Sequence, residues 1–229
     1  MNSKKFIVGG LACLFIGVVF IALFLPIGNN KAQNIIQANS ETNKTPQKPA
    51  LQLIDQAVLQ QSLENTINAN PGLDIGVSVH DLGTDQSYTY GVDVPFIAAS
   101  VGKLITASLY LKNVENGINT LEEPYGDSTA RVQIQRMIGK SDNTAWHLLN
   151  DELGHPALVQ YANQNGIASY DADKNTIKPS DVSLLLTKLY NRQLLNEDNT
   201  SFLLANMQID QEEVKFIRNY IDPSIAVYH

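Results

Sequence analysis

The sequence has 229 residues, of which 44% are hydrophobic and 17% charged, so it can bury a core and is not a disordered tail. Its formal net charge of −7 argues against a nucleic-acid partner, because phosphate binding depends on clustered Lys and Arg. The single cysteine, Cys13, excludes an intrachain disulfide and a cysteine-based metal site.

An uncharged apolar run occupies residues 6–27. As a helix it would extend about 33 Å, which is enough to cross a bilayer. Lys4 and Lys5 precede the run, and the positive-inside rule therefore places the following chain outside the cytoplasm. We predict an uncleaved anchor at residues 1–28 and a single-pass protein of the cell membrane with an extracytoplasmic domain. The alternative is a cleaved signal peptide, which typically has a shorter apolar core and a small-residue cleavage site.

Residues 29–50 are rich in Asn, Gln, Lys and Thr and poor in large apolar residues. Such a segment buries too little surface to offset the chain entropy that it would lose on folding. We therefore predict a flexible linker here and a folded domain over residues 51–229.

The folded domain is predicted to begin with a helix and a β-hairpin. Apolar residues recur at helical spacing over residues 51–69, and the helix is expected to end at the "NPG" that follows. Next, "LDIGVSVHDL" alternates apolar and polar residues, and the turn "GTDQ" leads into "SYTYGV". This pattern predicts a hairpin over residues 74–92.

The rest of the chain has mostly helical spacing. Helices are predicted over residues 104–114, 132–138, 144–153, 157–163, 182–194 and 202–207. The terminal "SIAVYH", residues 224–229, returns to the composition of a strand. The element order predicts an α/β (α+β) fold in which helices outnumber strands.

A serine and a lysine stand one turn apart in "FIAASVGKLITASLYL", residues 96–111. Ser100 is predicted to open the helix, where free N–H groups and the helix dipole stabilise developing negative charge. Lys103 comes three residues later, so its amine can reach the Ser100 hydroxyl. Apolar surroundings lower the pKa of an amine, and a neutral amine can accept the serine proton. The alternative is structural: Ser100 caps the helix and Lys103 extends to water.

A second cluster, "SDN" at residues 141–143, precedes the helix predicted over residues 144–153. Serine and aspartate are common N-caps, so this triplet alone indicates only the start of a helix. The pair of motifs is more specific. Ser100-x-x-Lys103 followed by "SDN" resembles the active-site serine enzymes that include class A β-lactamases and penicillin-binding proteins.

The resemblance covers residues 51–229 and implies a β-lactamase/transpeptidase-like catalytic domain, with an antiparallel sheet flanked by helices and a helical subdomain that carries "SDN". It implies that Ser100 is the acylated nucleophile and that Lys103 is its base. Ser141 would relay a proton to the leaving nitrogen. Asn143 would bind the amide side chain of the substrate and hold Lys103 in place.

The implied substrates are β-lactams or D-alanyl-D-alanine-like amides of peptidoglycan. The alternative function is a non-catalytic module that keeps the fold and binds β-lactams or the cell wall. The four histidines share no metal-ligand spacing, so we predict no metal site, and the sequence has no phosphate loop or dinucleotide motif that would imply a cofactor. Trp146 is expected in the core, close enough to Ser141 to form one wall of the site.

One departure from class A β-lactamases concerns release of the product. Their Glu-x-x-Leu-Asn loop, whose glutamate activates the deacylating water, has no counterpart in residues 166–181. Asp171 and Asp173 are the only acids in this stretch before Pro179, and we interpret both as solvated loop residues. The acyl-enzyme is therefore expected to persist.

A second departure concerns the third motif of these enzymes, Lys-Thr-Gly or Lys-Ser-Gly, which lies on a strand after the helical subdomain. "IDPSIAVYH" resembles the segment that leads into this strand, and the sequence stops at His229. We therefore expect the C-terminal strands to be missing. A chain without them would hold only part of the site and would not hydrolyse β-lactams.

Overall fold

The computed structural model describes residues 56–208. The anchor predicted at residues 1–28, the linker at residues 29–50 and the strand at residues 224–229 lie outside the described residues, and the domain boundaries stay predictions. Within the described range, no helix is both long enough and apolar enough to span a membrane.

Helices make up most of the described chain. The helices of this part are α1 (Gln56–Asn68), α2 (Gly102–Glu115), α3 (Ala130–Gly139), α4 (Asn143–Leu153), α5 (His155–Gln164), α6 (Pro179–Tyr190) and α7 (Glu197–Met207). Its short strands pair antiparallel, β1 (Gly76–Asp81) with β2 (Gln86–Gly91), β3 (Phe96–Ile97) with β6 (Thr176–Ile177), and β4 (Pro124–Tyr125) with β5 (Ser128–Thr129). The predicted mixed class, dominated by helices, is confirmed.

Helix α2 lies at the centre of the core. All of its residues from 102 to 111 are buried, and it packs against α3, α4 and α5. A helix that is apolar on every side is stable only when other elements surround it. Lys103 therefore has no solvent-facing side to occupy, and it is only 2% exposed.

The β1–β2 hairpin packs against α6 through small residues. Gly76 and Ser78 lie on the same face of β1, and Ser78 is the buried residue of this strand. A Cβ atom at Gly76 would lie 2.9 Å from Pro179 Cγ and 2.2 Å from the carbonyl oxygen of Val92. Only glycine therefore permits this close contact, whereas the valines on both sides of Ser78 are half-buried.

Two contacts join the segment before Ser100 to the start of α6 and to the strand before it. Strand β3 pairs with β6 in the register Phe96 to Ile177. The carboxylate of Asp93 accepts hydrogen bonds from Ser180 N at 3.1 Å and from Ser180 Oγ at 2.8 Å. A carboxylate at the start of a helix satisfies free N–H groups and stabilises the positive end of the dipole. The chain around Ser100 is thus fixed to the N-terminus of α6.

The predicted end of the helix at residue 194 is wrong, because α6 ends at Tyr190. Arg192 takes a left-handed φ of 57°. Its N–H donates to the Leu189 carbonyl at 3.0 Å, and Gln193 N donates to the Lys188 carbonyl at 2.8 Å. This pair of bonds is the Schellman arrangement that ends helices. Leu194 and Leu195, which follow this turn, are buried in the core but belong to the loop between α6 and α7.

The predicted start of the serine helix is also wrong. Ser100 lies inside a 3-10 turn, Ala99–Val101, and α2 begins at Gly102. Ala99 has a left-handed φ of 48°, which no α-helix accommodates.

Candidate active site

The structure brings Ser100, Lys103 and Ser141 into mutual contact, and we call them the Ser–Lys–Ser cluster. Lys103 Nζ lies 3.3 Å from Ser100 Oγ, 2.8 Å from Ser141 Oγ and 2.6 Å from the Ser141 carbonyl oxygen. The hydroxyl groups of Ser100 and Ser141 also contact each other. Ser100 is exposed and Lys103 is buried. A substrate can therefore reach the hydroxyl while the amine stays shielded from water.

These contacts suit either protonation state of Lys103: an ammonium group donates to all three oxygens, whereas a neutral amine donates to two of them and accepts from one hydroxyl. The carbonyl oxygen of Ser141 can only accept, so it takes one N–H of Lys103. A neutral amine then has one further N–H and one lone pair, which suit the two hydroxyl groups. Burial lowers the pKa of Lys103, and the nearby charge of Asp142 opposes this by raising it. The predicted direction of the shift agrees with the burial of the side chain.

Trp146 lies against the amine. The centre of its ring is 5.7 Å from Lys103 Nζ. Its Nε1 donates to Thr106 Oγ1 at 3.0 Å, and Thr106 Oγ1 donates to Asn150 Oδ1 at 2.6 Å. This chain of hydrogen bonds ties α4 to α2 and fixes the plane of the ring. Trp146 therefore forms a wall of the cluster through its contact with Lys103.

Asp142 and Asn143 occupy the start of α4. Asp142 accepts hydrogen bonds from Thr144 N at 2.8 Å and from Ala145 N at 3.2 Å, as an N-cap does. Asn143, the first residue of the helix, is exposed and free to meet a ligand. Within the described residues the hydrogen bonds of Lys103 go to the two serines, and the role of Asn143 in holding this amine stays a prediction.

Replacement Asp142→Ala should destabilise the fold by about 1 kcal/mol, because the free N–H groups of the first turn of α4 lose their acceptor. Urea denaturation measures the change in the free energy of unfolding. Asp151, an exposed aspartate in the same helix, supplies the control, and Asp151→Ala should change this energy by less than about 0.5 kcal/mol. Equal effects of the two substitutions would contradict the capping role of Asp142.

The backbone around Ser100 carries unusual φ angles. Ala99, Ser141 and Asn175 have left-handed φ values of 48°, 53° and 48°. Among the other non-glycine residues described, only Asp85 and Arg192 share this conformation. Left-handed residues other than glycine cost about 1 to 3 kcal/mol each and persist where neighbouring contacts hold them. Their concentration here indicates that the surroundings constrain the position of Ser100.

Asn175 is the residue of this site that the sequence did not reveal. Its carbonyl oxygen accepts from Ala98 N at 2.7 Å, and its Nδ2 donates to the Ala99 carbonyl at 3.0 Å. A Cβ atom at Gly102 would lie 2.3 Å from Asn175 Oδ1, so any larger residue there would displace this side chain. The one signal in the sequence is an asparagine, which tolerates left-handed φ, in a loop between helices.

The two loop acids lie in contacts of their own. Asp171 accepts from Lys174 Nζ at 2.6 Å, and this hydrogen bond lowers the pKa of its carboxyl. Asp173 Oδ1 contacts His155 Nδ1 at 2.6 Å. Neither acid hydrogen-bonds to the Ser–Lys–Ser cluster, which agrees with their interpretation as loop residues. No group of three or more His, Cys, Asp or Glu side chains in the described range is placed to hold a metal ion.

Comparison with known proteins gives one family and one fold. Residues 58–229 match the model of the beta-lactamase enzyme family. The solved structure of PBP-A is 25% identical with a TM-score of 0.61, and the match covers 67% of this chain and 69% of that chain. A mutant of PBP-A, solved as an acyl-enzyme complex with penicillin G, is 26% identical with a TM-score of 0.59 over the same shares, 67% and 69%.

A beta-lactamase from Xanthomonas campestris pv. campestris is 18% identical with a TM-score of 0.66, and the match covers 72% of this chain and 74% of that chain. At this identity the likeness shows the fold alone. No curated protein sequence matches the chain significantly. The structural likenesses confirm the predicted β-lactamase-like architecture.

Proposed function

The chain belongs to the beta-lactamase enzyme family, and from this premise we propose that it is a serine hydrolase or acyltransferase whose Ser100 forms an acyl-enzyme with β-lactams or D-alanyl-D-alanine-like amides. The observation that carries the proposal is the contact of Lys103 Nζ with both serine hydroxyls, at 3.3 Å and 2.8 Å. A structural lysine that reached for water would not be buried against two hydroxyl groups. The acyl-enzyme with penicillin G formed by the PBP-A mutant supports the same substrate class.

Acylation begins when Ser100 Oγ attacks the carbonyl carbon of the amide and its proton passes to Lys103. The direct path spans 3.3 Å, whereas the path through the Ser141 hydroxyl uses shorter links, the second of them 2.8 Å. We therefore favour the path through Ser141. We propose that backbone N–H groups of the turn at Ser100 stabilise the developing negative charge on the carbonyl oxygen.

The tetrahedral intermediate then loses its amine. The C–N bond breaks, and the leaving nitrogen takes a proton from the Ser141 hydroxyl. Lys103 then gives its proton to the Ser141 oxygen. This step returns Lys103 to the neutral form and leaves Ser100 as an ester. We propose that Asn143, exposed two residues after Ser141, binds the amide side chain of the substrate.

Labelling with a fluorescent penicillin tests the proposal. The full-length protein should give a fluorescent band that survives denaturing electrophoresis, because an ester bond at Ser100 is covalent. Ser100→Ala should abolish the band, whereas Ser62→Ala, at an exposed serine of α1, should leave it unchanged. A fluorescent penicillin that binds the native protein but is released on denaturation would favour the non-catalytic binding module instead.

The same experiment tests the proposed location. Lys4 and Lys5 before the apolar run at residues 6–27 support an anchor with the domain outside the cytoplasm, where peptidoglycan peptides lie. The labelled band should therefore appear in the membrane fraction of lysed cells. A band found only in the soluble fraction would contradict the anchor.

A further inference from the structure

The loop before α6 continues a strand pairing up to the residue before Ser100. Strand β3 pairs with β6 up to Ile97 and Thr176. The next backbone bond runs from Ala98 N to the Asn175 carbonyl, at 2.7 Å. The backbone pairing ends at Ala99. There the side chain of Asn175 donates a hydrogen bond from Nδ2 to the Ala99 carbonyl at 3.0 Å. One residue therefore holds both positions that precede the nucleophile.

Ala99 needs such a partner. Its φ of 48° lies in the left-handed region, where the Cβ atom of alanine is crowded by the backbone. Alanine has no polar side-chain group that could offset this crowding. The hydrogen bond from Asn175 to the Ala99 carbonyl is the contact that favours the left-handed form over an extended or helical one.

The side chain of Asn175 has little freedom to turn. Its Oδ1 lies 2.3 Å from the position that a Cβ atom of Gly102 would take, so it packs directly on the backbone of α2. Among the described residues this buried oxygen has no hydrogen-bond partner. Reversal of the amide would place the oxygen against the Ala99 carbonyl, which is repulsive. A buried acceptor without a donor destabilises a fold, so this arrangement is not explained by stability.

We infer that Asn175 is a positioning residue for acyl transfer, which holds Ala99 in the left-handed conformation and thereby keeps Ser100 Oγ next to Lys103 and Ser141. The inference rests on the proposed function. Asn175 acts through Ala99 and not on the substrate, so its loss should slow the chemical step and leave binding unchanged. Small displacements of a nucleophile reduce rates strongly because the reacting groups must be aligned.

Stopped-flow acylation by a penicillin tests this role with two variants. Asn175→Ala removes the donor, and Asn175→Asp keeps the shape but turns a donor into an acceptor that faces the Ala99 carbonyl. Both should lower the limiting rate of acylation by about 5- to 30-fold. This range corresponds to the free energy that a left-handed conformation costs an alanine residue. The half-saturating penicillin concentration should change by less than about twofold. Lys174→Ala, in the same loop but paired with Asp171, is the control and should keep the rate of the parent.

A second substitution separates positioning from general packing. Glycine adopts left-handed φ without crowding, so Ala99→Gly added to Asn175→Ala should restore the limiting rate to within about threefold of the parent. If Asn175 served only to stabilise the loop, a change at Ala99 would restore nothing. Absence of recovery in the double variant would therefore overturn the inference.

Hydrogen exchange gives a readout that does not require acylation. In the parent the N–H of Val101 donates to the Ala98 carbonyl within this turn, and the N–H of Ala98 donates to the Asn175 backbone carbonyl. In Asn175→Ala both N–H groups should exchange faster than in the parent, because the turn loses its side-chain contact. If penicillin labels the parent and Asn175→Ala is acylated at the same rate, the inference fails and the proposed function stands. If the parent is never labelled, the proposed function fails, and the exchange rates alone decide: faster exchange supports the hold on Ala99, and unchanged exchange overturns it.

Discussion

Replacement of Lys103 by methionine should lower the rate of acylation by about 10² to 10⁴-fold, because it removes the group that takes the proton of Ser100. Methionine keeps the length and apolar contacts of the buried side chain. In the parent the rate should rise with pH as Lys103 loses its proton, through a pKa below the ordinary lysine value of 10.5. In Lys103→Met this rise should disappear. Stopped-flow fluorescence with a labelled penicillin, recorded across pH, measures both effects.

The same substitution should make the protein more stable at neutral pH. Lys103 has a lowered pKa in the folded state, so the unfolded chain binds more protons between that value and 10.5. Stability therefore rises with pH across this window, and the full penalty of burying the amine remains below it. Lys103→Met carries no such penalty, so its advantage in free energy of unfolding should shrink as the pH approaches 10.5.

Urea denaturation at pH 7 and at pH 10 measures this difference. Lys174→Met supplies the control, because the Lys174 side chain is 75% exposed. This variant should show neither the stabilisation nor the loss of acylation. A Lys103→Met variant that is acylated at the parental rate would contradict the role of Lys103 as base. A variant that is less stable than the parent at pH 7 would contradict the account of its burial.

Release of the acyl group should be slow, so a chromogenic cephalosporin should give a burst of about one equivalent followed by a much slower phase. The reason lies in the site: no Asp or Glu side chain of the described residues hydrogen-bonds to the Ser–Lys–Ser cluster, and Asp171 and Asp173 are engaged by Lys174 and His155. General-base assistance to the attacking water is worth about 10² to 10⁴ in rate, and its absence slows release by a similar factor.

Rapid-mixing absorbance measures the burst and the later phase in one trace. Ser100→Ala should show neither. Fast steady turnover without a burst would mean that a base for the deacylating water exists, and Asp171→Asn and Asp173→Asn would then be the first variants to compare.

The sequence predicted those parts of the fold that depend on short-range pattern. Helical spacing placed α3, α4 and α5 within a few residues of their bounds, because one apolar face packs on α2 in each case. The "SDN" triplet predicted an N-cap, and Asp142 is one. The apolar residues around Lys103 left two positions open for its side chain, inward or extended to water, and the structure gives the inward one.

Long-range contacts account for what the sequence did not show. Ser100 and Asn175 are far apart in the chain, and the turn that moves Ser100 out of α2 depends on the bond between Asn175 and Ala99. Helical spacing says nothing about such a bond. Likewise, the contact of Trp146 with Lys103 depends on how α4 crosses α2, which is set by tertiary packing.

Peptide mapping by mass spectrometry after treatment with benzylpenicillin tests the central claim most directly. The account predicts one adduct with the mass of intact penicillin, located on Ser100 in the full-length protein, and no adduct in Ser100→Ala. An adduct on Ser141 or on any other residue, or one that persists in Ser100→Ala, would contradict the assignment of Ser100 as the nucleophile.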